Sequence, residues 1–358
     1  MTISSSSYPT LPALLARFDR ESRGMRLRAQ DTAELAAWRS ALRAQLSAII
    51  GIDTMRACPP GPQEDAPEQC DGYVRTRVVI AVEPDVRMPL YVLTPADLRP
   101  GQRRPVMLAP HGHSSAGKAA VVGRADAPEL VKTIVQHNYA YGLHLVRAGY
   151  IVLCPDARGF GERREPVVMA DGDLLGSSCQ VLNHMALPLG QTVTGMWTWD
   201  LMRLIDYAAT RADCDATRIG CAGLSGGGWQ TLWLAALDER VRCAVVSGHF
   251  YGYKDSLLRL SLNCSCNYVP GLWQLADAGD IGALIAPRPL LIETGRHDPL
   301  NGERGVVNVN EQIEITRQSY ALLSADDRLA HTVFEGEHRW DGADVLPWLA
   351  RWLSPNDY

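Results

Sequence analysis

A chain of 358 residues with 46% hydrophobic and 21% charged side chains can bury a large core, as one big α/β domain or two smaller ones. Its formal net charge of -5, with basic residues scattered, excludes the electrostatic footprint of a nucleic-acid binder or of a protein drawn to anionic membranes. No stretch reaches the roughly 20 apolar residues of a membrane span, and the polar, Ser-rich residues 1–10 lack the features of a secretory signal. With 9 cysteines and no export signal, reduced thiols and a cytoplasmic location are expected.

Residues 31–50 carry the clearest helical pattern. Asp31 is placed to cap the helix, with Glu34 completing a capping box, and Leu35, Trp38, Leu42, Leu46 and Ile49 fall on one face. Residues 1–65 are therefore expected to be a helical extension, with the Pro- and acid-rich stretch 58–67 as linker to a main domain over 66–358. The runs 74–82 and 90–94 flank Glu83-Pro84-Asp85 and read as an edge hairpin. Apolar strands at 105–109, 150–154, 218–222, 244–247, 289–294 and 331–334 then alternate with helical stretches, the strongest at 198–210 and 310–324. Near-continuous apolar strands separated by helices imply a mostly parallel twisted sheet covered on both faces. The long connections 113–149 and 159–197 carry His, Tyr, Trp and Met, and such loops at strand C-termini are where open α/β sheets bind ligands.

Gly223-Leu224-Ser225-Gly226-Gly227 sits between a strand and a helix-like stretch that begins at Trp229. As a bare pattern G-x-S-x-G is common; between strand and helix it reads as a nucleophile elbow, holding Ser225 on a strained turn at the mouth of the sheet. A serine hydroxyl needs a base, and in an elbow the acid and the histidine follow in chain order after late strands. Asp298 follows the strand 289–294, and His338 follows the strand 331–334. His297 precedes the last strand, His331 begins it, His249 follows the strand 244–247 and could line the pocket, and Glu293 lies inside a strand, so each is less suited to the role. Two backbone amides are needed to hold an oxyanion. Gly226 supplies one, and the turn Pro110-His111-Gly112-His113 after the strand 105–109 offers His113 for the second. Arg158, in the next strand-end loop, is expected to pair with Asp200 as a structural support. Cys264-Ser265-Cys266 lacks a second cluster at metal-ligand spacing and is expected to pack as small apolar residues.

These motifs, with Ala286-Pro287-Arg288-Pro289 and Gly336-Glu337-His338, strongly resemble the α/β-hydrolase superfamily over roughly residues 70–355, in particular its dienelactone-hydrolase-like and acetyl xylan esterase-like branch. The resemblance implies Ser225 as nucleophile, Asp298 as acid, His338 as base, and the amides of His113 and Gly226 as oxyanion hole. It implies no cofactor and no metal. The chain has serine where dienelactone hydrolases typically carry cysteine. It has Gly226 and His113 where xylan-type deacetylases carry glutamine and tyrosine. The expected activity is hydrolysis of a small carboxylic ester through an acyl-serine, with neither nucleic acid nor membrane as partner. The alternatives are a peptidase of the prolyl-oligopeptidase type, for which about 65 leading residues cannot form a propeller, and a non-catalytic binding protein, which would lack a triad member. Residues 1–55 are expected to dock over part of the catalytic face.

Overall fold

The computed structural model describes residues 8–168, 172–259 and 263–354. Its sheet contains β1 (Gln63–Glu64), β2 (Glu68–Cys70), β3 (Tyr73–Glu83), β4 (Val86–Pro95), β5 (Arg104–Leu108), β6 (Ile151–Pro155), β7 (Cys214–Leu224), β8 (Val241–Ser247), β9 (Leu290–Gly295) and β10 (Leu329–Phe334). The order is β1-β3-β4-β6-β5-β7-β8-β9-β10, with β2 paired to β3. From β6 to β10 every pairing is parallel, while β1, β2, β3 and β4 add an antiparallel margin. This is the α/β-hydrolase architecture anticipated from the alternating strands and helices.

The two-sided core follows from the period of 2 along each strand. Val106, Leu108, Ile151, Leu153, Ile219, Cys221, Ala244 and Val246 enter one hydrophobic cluster. Their neighbours Met107, Ala109, Val152, Cys154, Ala222, Leu224, Cys243 and Val245 enter the other. The helices Val193–Thr210 and Gly226–Leu237 cover the first face, and Tyr141–Arg147 and Val345–Trp352 the second. The connection 113–149 resolves into three helices, Lys118–Val121, Pro128–His137 and Tyr141–Arg147. Among the described residues no helix is long and apolar enough to cross a membrane.

The helix Thr32–Ile50 starts where expected. Asp31 accepts from Ala33 N and Glu34 N, but the Glu34 carboxylate returns to the amide of Gln30 rather than of Asp31. Leu42, Leu46 and Ile50 are buried in the main core, so the helix is continuous with it. Arg43 reaches Ala236 O and Glu239, at the far end of the helix Gly226–Leu237 from Ser225. The helix Thr32–Ile50 thus docks away from the elbow, so this part of residues 1–55 does not lie over the catalytic face. The stretch 58–67 also differs from a free linker: β1 pairs with Val78 and Val79, and Pro60 O accepts from Ala81 N. An edge strand offers unpaired backbone groups, and this segment satisfies them.

Candidate active site

Ser225 joins β7 to the helix Gly226–Leu237 with φ 60° and ψ -122°. A non-glycine residue there carries about 1–3 kcal/mol of strain, held in place by its surroundings. Ser225 N donates to Ser247 O on β8 at 2.9 Å. A side chain at Gly223 would come within 2.5 Å of the Gly227 carbonyl carbon, and one at Gly227 would collide with Pro110 O. The glycines therefore let strand, turn and loop pass at contact distance. The serine itself is buried, with 8% of its surface exposed.

His338 Nδ1 and Asp298 Oδ2 lie 2.6 Å apart. Asp298 caps the short turn Pro299–Asn301, accepting from Leu300 N at 2.8 Å, which fixes the carboxylate. The imidazole stands over Gly248, the residue after Ser247: a Cβ at Gly248 would lie 3.0 Å from His338 Cε1 and 3.1 Å from Leu224 Cδ1. The two residues expected from chain order are thus hydrogen-bonded, and they converge on the elbow from the ends of β9 and β10. A hollow of about 440 Å³ lined by Gln136, His137, Pro299 and Glu337 opens beside the imidazole.

The competing histidines are engaged elsewhere. His249 is buried against Trp229 with the Tyr251 hydroxyl near its ring, and burial pushes its pKa well below the ordinary value. His297 is exposed beside Glu335, and His331 bonds the Thr294 hydroxyl. Glu293 accepts from Gly342 N and lies within β9.

The loop Pro110–His113 lies against the serine: a Cβ at Gly112 would stand 3.0 Å from Ser225 Cβ. Each of its carbonyls accepts a hydrogen bond. Tyr141 Oη donates to Pro110 O, Gln230 Nε2 to His111 O, Ser115 Oγ to Gly112 O and Tyr139 Oη to His113 O. The His111 ring accepts from Ala157 N at 3.0 Å, and burial holds its pKa down to about 4, so it stays neutral. With every carbonyl tied back, the peptide planes beside Ser225 are fixed. Tyr139, Gln230 and His111 were not foreseen in these supporting roles. No local pattern announces these bonds, because they join residues far apart in sequence.

Arg158 pairs with Asp200 as expected, at 2.8 Å, and also with Glu83, while Arg163 adds a second guanidinium to Asp200. Cys264 and Cys266 have company that their own spacing did not reveal. Cys179 and the ring of His113 join them, and the four ligating atoms lie within 4.8 Å of one another.

A model of the Abhydrolase family matches residues 25–320. The chain belongs to the Abhydrolase family. Among curated proteins, "Putative hydrolase YtaP" of Bacillus subtilis (strain 168) is 31% identical over 217 residues, which is 58% of this chain and 65% of that protein. The matched part thus spans just under two thirds of that relative's length. Among solved structures, one described as a putative acetyl xylan esterase from Bacteroides fragilis NCTC 9343 matches with a TM-score of 0.75 and 19% identity, covering 99% of this chain and 92% of that one. A glucuronoyl esterase from Solibacter usitatus matches with a TM-score of 0.64 and 15% identity, covering 97% and 98%. At these identities the two structures share the Abhydrolase chain's fold.

Proposed function

We propose that this Abhydrolase protein is a serine esterase that hydrolyses carboxylic esters through an acyl-serine intermediate. The reading rests chiefly on one observation: His338, bonded to Asp298 at 2.6 Å, stands beside the strained turn that presents Ser225. Structural neighbours described as esterases support the same chemistry. In this account Ser225 Oγ attacks the ester carbonyl while His338 Nε2 takes its proton, and Asp298 keeps the imidazole oriented and stabilises the imidazolium. The amides of Gly226 and His113 hold the oxyanion, aided by the positive end of the helix Gly226–Leu237. The proton passes to the departing alcohol, and a water activated by the same imidazole releases the acid. The side chains assigned to these steps require no cofactor.

The test is hydrolysis of p-nitrophenyl acetate and longer acyl esters, beside an aminoacyl nitroanilide. Ester cleavage with Ser225→Ala lowering kcat by about 10⁴ or more is expected. Cleavage of the anilide alone, or of neither, would overturn the esterase assignment.

A further inference from the structure

We propose that His113, Cys179, Cys264 and Cys266 form a tetrahedral zinc site that anchors the loop carrying the His113 amide. The four residues come from three separate places in the chain. His113 follows β5, Cys179 opens the helix Cys179–Ala186, and Cys264 precedes the single turn Ser265–Asn267, in which Cys266 lies. Their ligating atoms nevertheless converge within 4.8 Å. The Sγ atoms of Cys179 and Cys264 are 3.4 Å apart, as are Cys266 Sγ and His113 Nε2. Zinc bound by three sulfurs and one nitrogen has ligand–ligand edges of about 3.6–3.8 Å, from Zn–S near 2.3 Å and Zn–N near 2.0–2.1 Å. The two measured edges lie slightly inside that tetrahedron, and closing the longest one takes a shift of about 1 Å.

The surroundings are built for ligation. The carbonyls of Cys264, Ser265 and Cys266 accept from Asn267 Nδ2, Asn183 Nδ2 and Thr194 Oγ1, at 3.0, 3.1 and 2.8 Å. Thr194 Oγ1 accepts in turn from Trp229 Nε1, and Asn183 Oδ1 from Val193 N. The Cys-bearing turn is therefore held by bonds to its own Asn267 and to the helices Cys179–Ala186 and Val193–Thr210. The His113 ring meets Phe160 and Trp197 edge-on, at 5.2 and 6.3 Å between centroids. Cys179 and Cys266 are buried, while Cys264 and His113 are partly exposed, which leaves an entry path for the ion. Packing of small apolar side chains would not require four potential donors to meet at one point. Three thiolates and an imidazole suit a borderline-soft divalent ion, and four protein ligands make a closed structural site rather than a catalytic one.

The consequence is mechanical. A Cβ at Gly226 would stand 2.8 Å from His113 Nδ1, so the ring lies against the first residue after Ser225. Tethering that ring to Cys179, Cys264 and Cys266 fixes the His113 backbone beside the elbow. Metal binding stands apart from the esterase assignment; only the effect on turnover rests on it.

The test uses the full chain expressed in zinc-supplemented medium and desalted. Elemental analysis should find about one zinc per chain, falling severalfold in both Cys179→Ser and Cys264→Ser. If the variants fold poorly, the native protein decides. Alkylation mapped by mass spectrometry should spare Cys179, Cys264 and Cys266 until a chelator is added, and cobalt(II) added to the stripped protein should give thiolate charge-transfer bands. Zinc-free protein that takes up no cobalt, a Cys179–Cys264 disulfide, or full zinc in both variants would overturn the site. Stripping should lower kcat severalfold with KM nearly unchanged and re-addition of zinc should restore it. A kcat indifferent to the metal would overturn the anchoring role while leaving the zinc measurement to stand.

Discussion

Glu293 shows how the residue scale separates chemistry from stability. It lies in β9, 1% exposed, with Gly342 N donating to one carboxylate oxygen, and burial raises its pKa from 4.5 to about 7. Between those values the folded chain holds a proton that the unfolded chain releases, so stability falls as pH rises and the full cost is present above about 7. His111 works in the other sense. Its folded value of about 4 against 6.5 unfolded gives stability that is present above 6.5 and lost as pH falls through 4. Glu293→Gln keeps an acceptor for Gly342 without the charge. Its Tm should exceed that of the parent by several degrees near pH 8 and by little near pH 4. An equal offset at both pH values would mean that Glu293 is not the group responsible. At this scale the sequence was informative wherever a position is tied to chain order: Ser225, Asp298 and His338 follow the ends of β7, β9 and β10. It placed Glu293 inside a strand and His111 in the loop after β5, but the partners of these two and of Tyr139 and Gln230 are set by packing and were not legible.

At the scale of elements, strands were legible because each buried strand of a parallel sheet is apolar along nearly its whole length. Their edges were less so. β7 begins at Cys214, four residues before the expected start, because the polar residues Asp215 and Thr217 still lie in the strand at its solvent end. The helix Thr32–Ile50 was legible in its cap and stripe, but a stripe does not say what it will pack on. Leu46 is fully buried in the main cluster, so Leu46→Ala should cost about 2–5 kcal/mol. Arg43 contacts the end of the helix Gly226–Leu237 remote from Ser225, so kcat should be nearly unchanged in protein that remains folded. Denaturant unfolding and steady-state kinetics check both halves. An unchanged midpoint would make the helix dispensable, and lost turnover at full stability would place it at the site.

At the scale of the whole molecule, the parallel sheet is what gathers the site. β7, β8, β9 and β10 are adjacent, so the loops at their C-terminal ends bring Ser225, Gly248, Asp298 and His338 together although the residues span more than a hundred positions. This convergence could be anticipated, because strand order in such sheets follows few rules. The gathering of Cys179 with His113, Cys264 and Cys266 could not. It depends on where the helix Cys179–Ala186 lies against the turn Ser265–Asn267, and no spacing rule encodes that placement.

The central claim, that Ser225 is the nucleophile of a unit completed by His338 and Asp298, is tested most directly by covalent labelling. A fluorophosphonate reacted with the native chain, followed by peptide mapping, should place the label on Ser225. Labelling should vanish in Ser225→Ala and slow by orders of magnitude in His338→Ala. A label carried by another serine, or labelling that persists in Ser225→Ala, would contradict it.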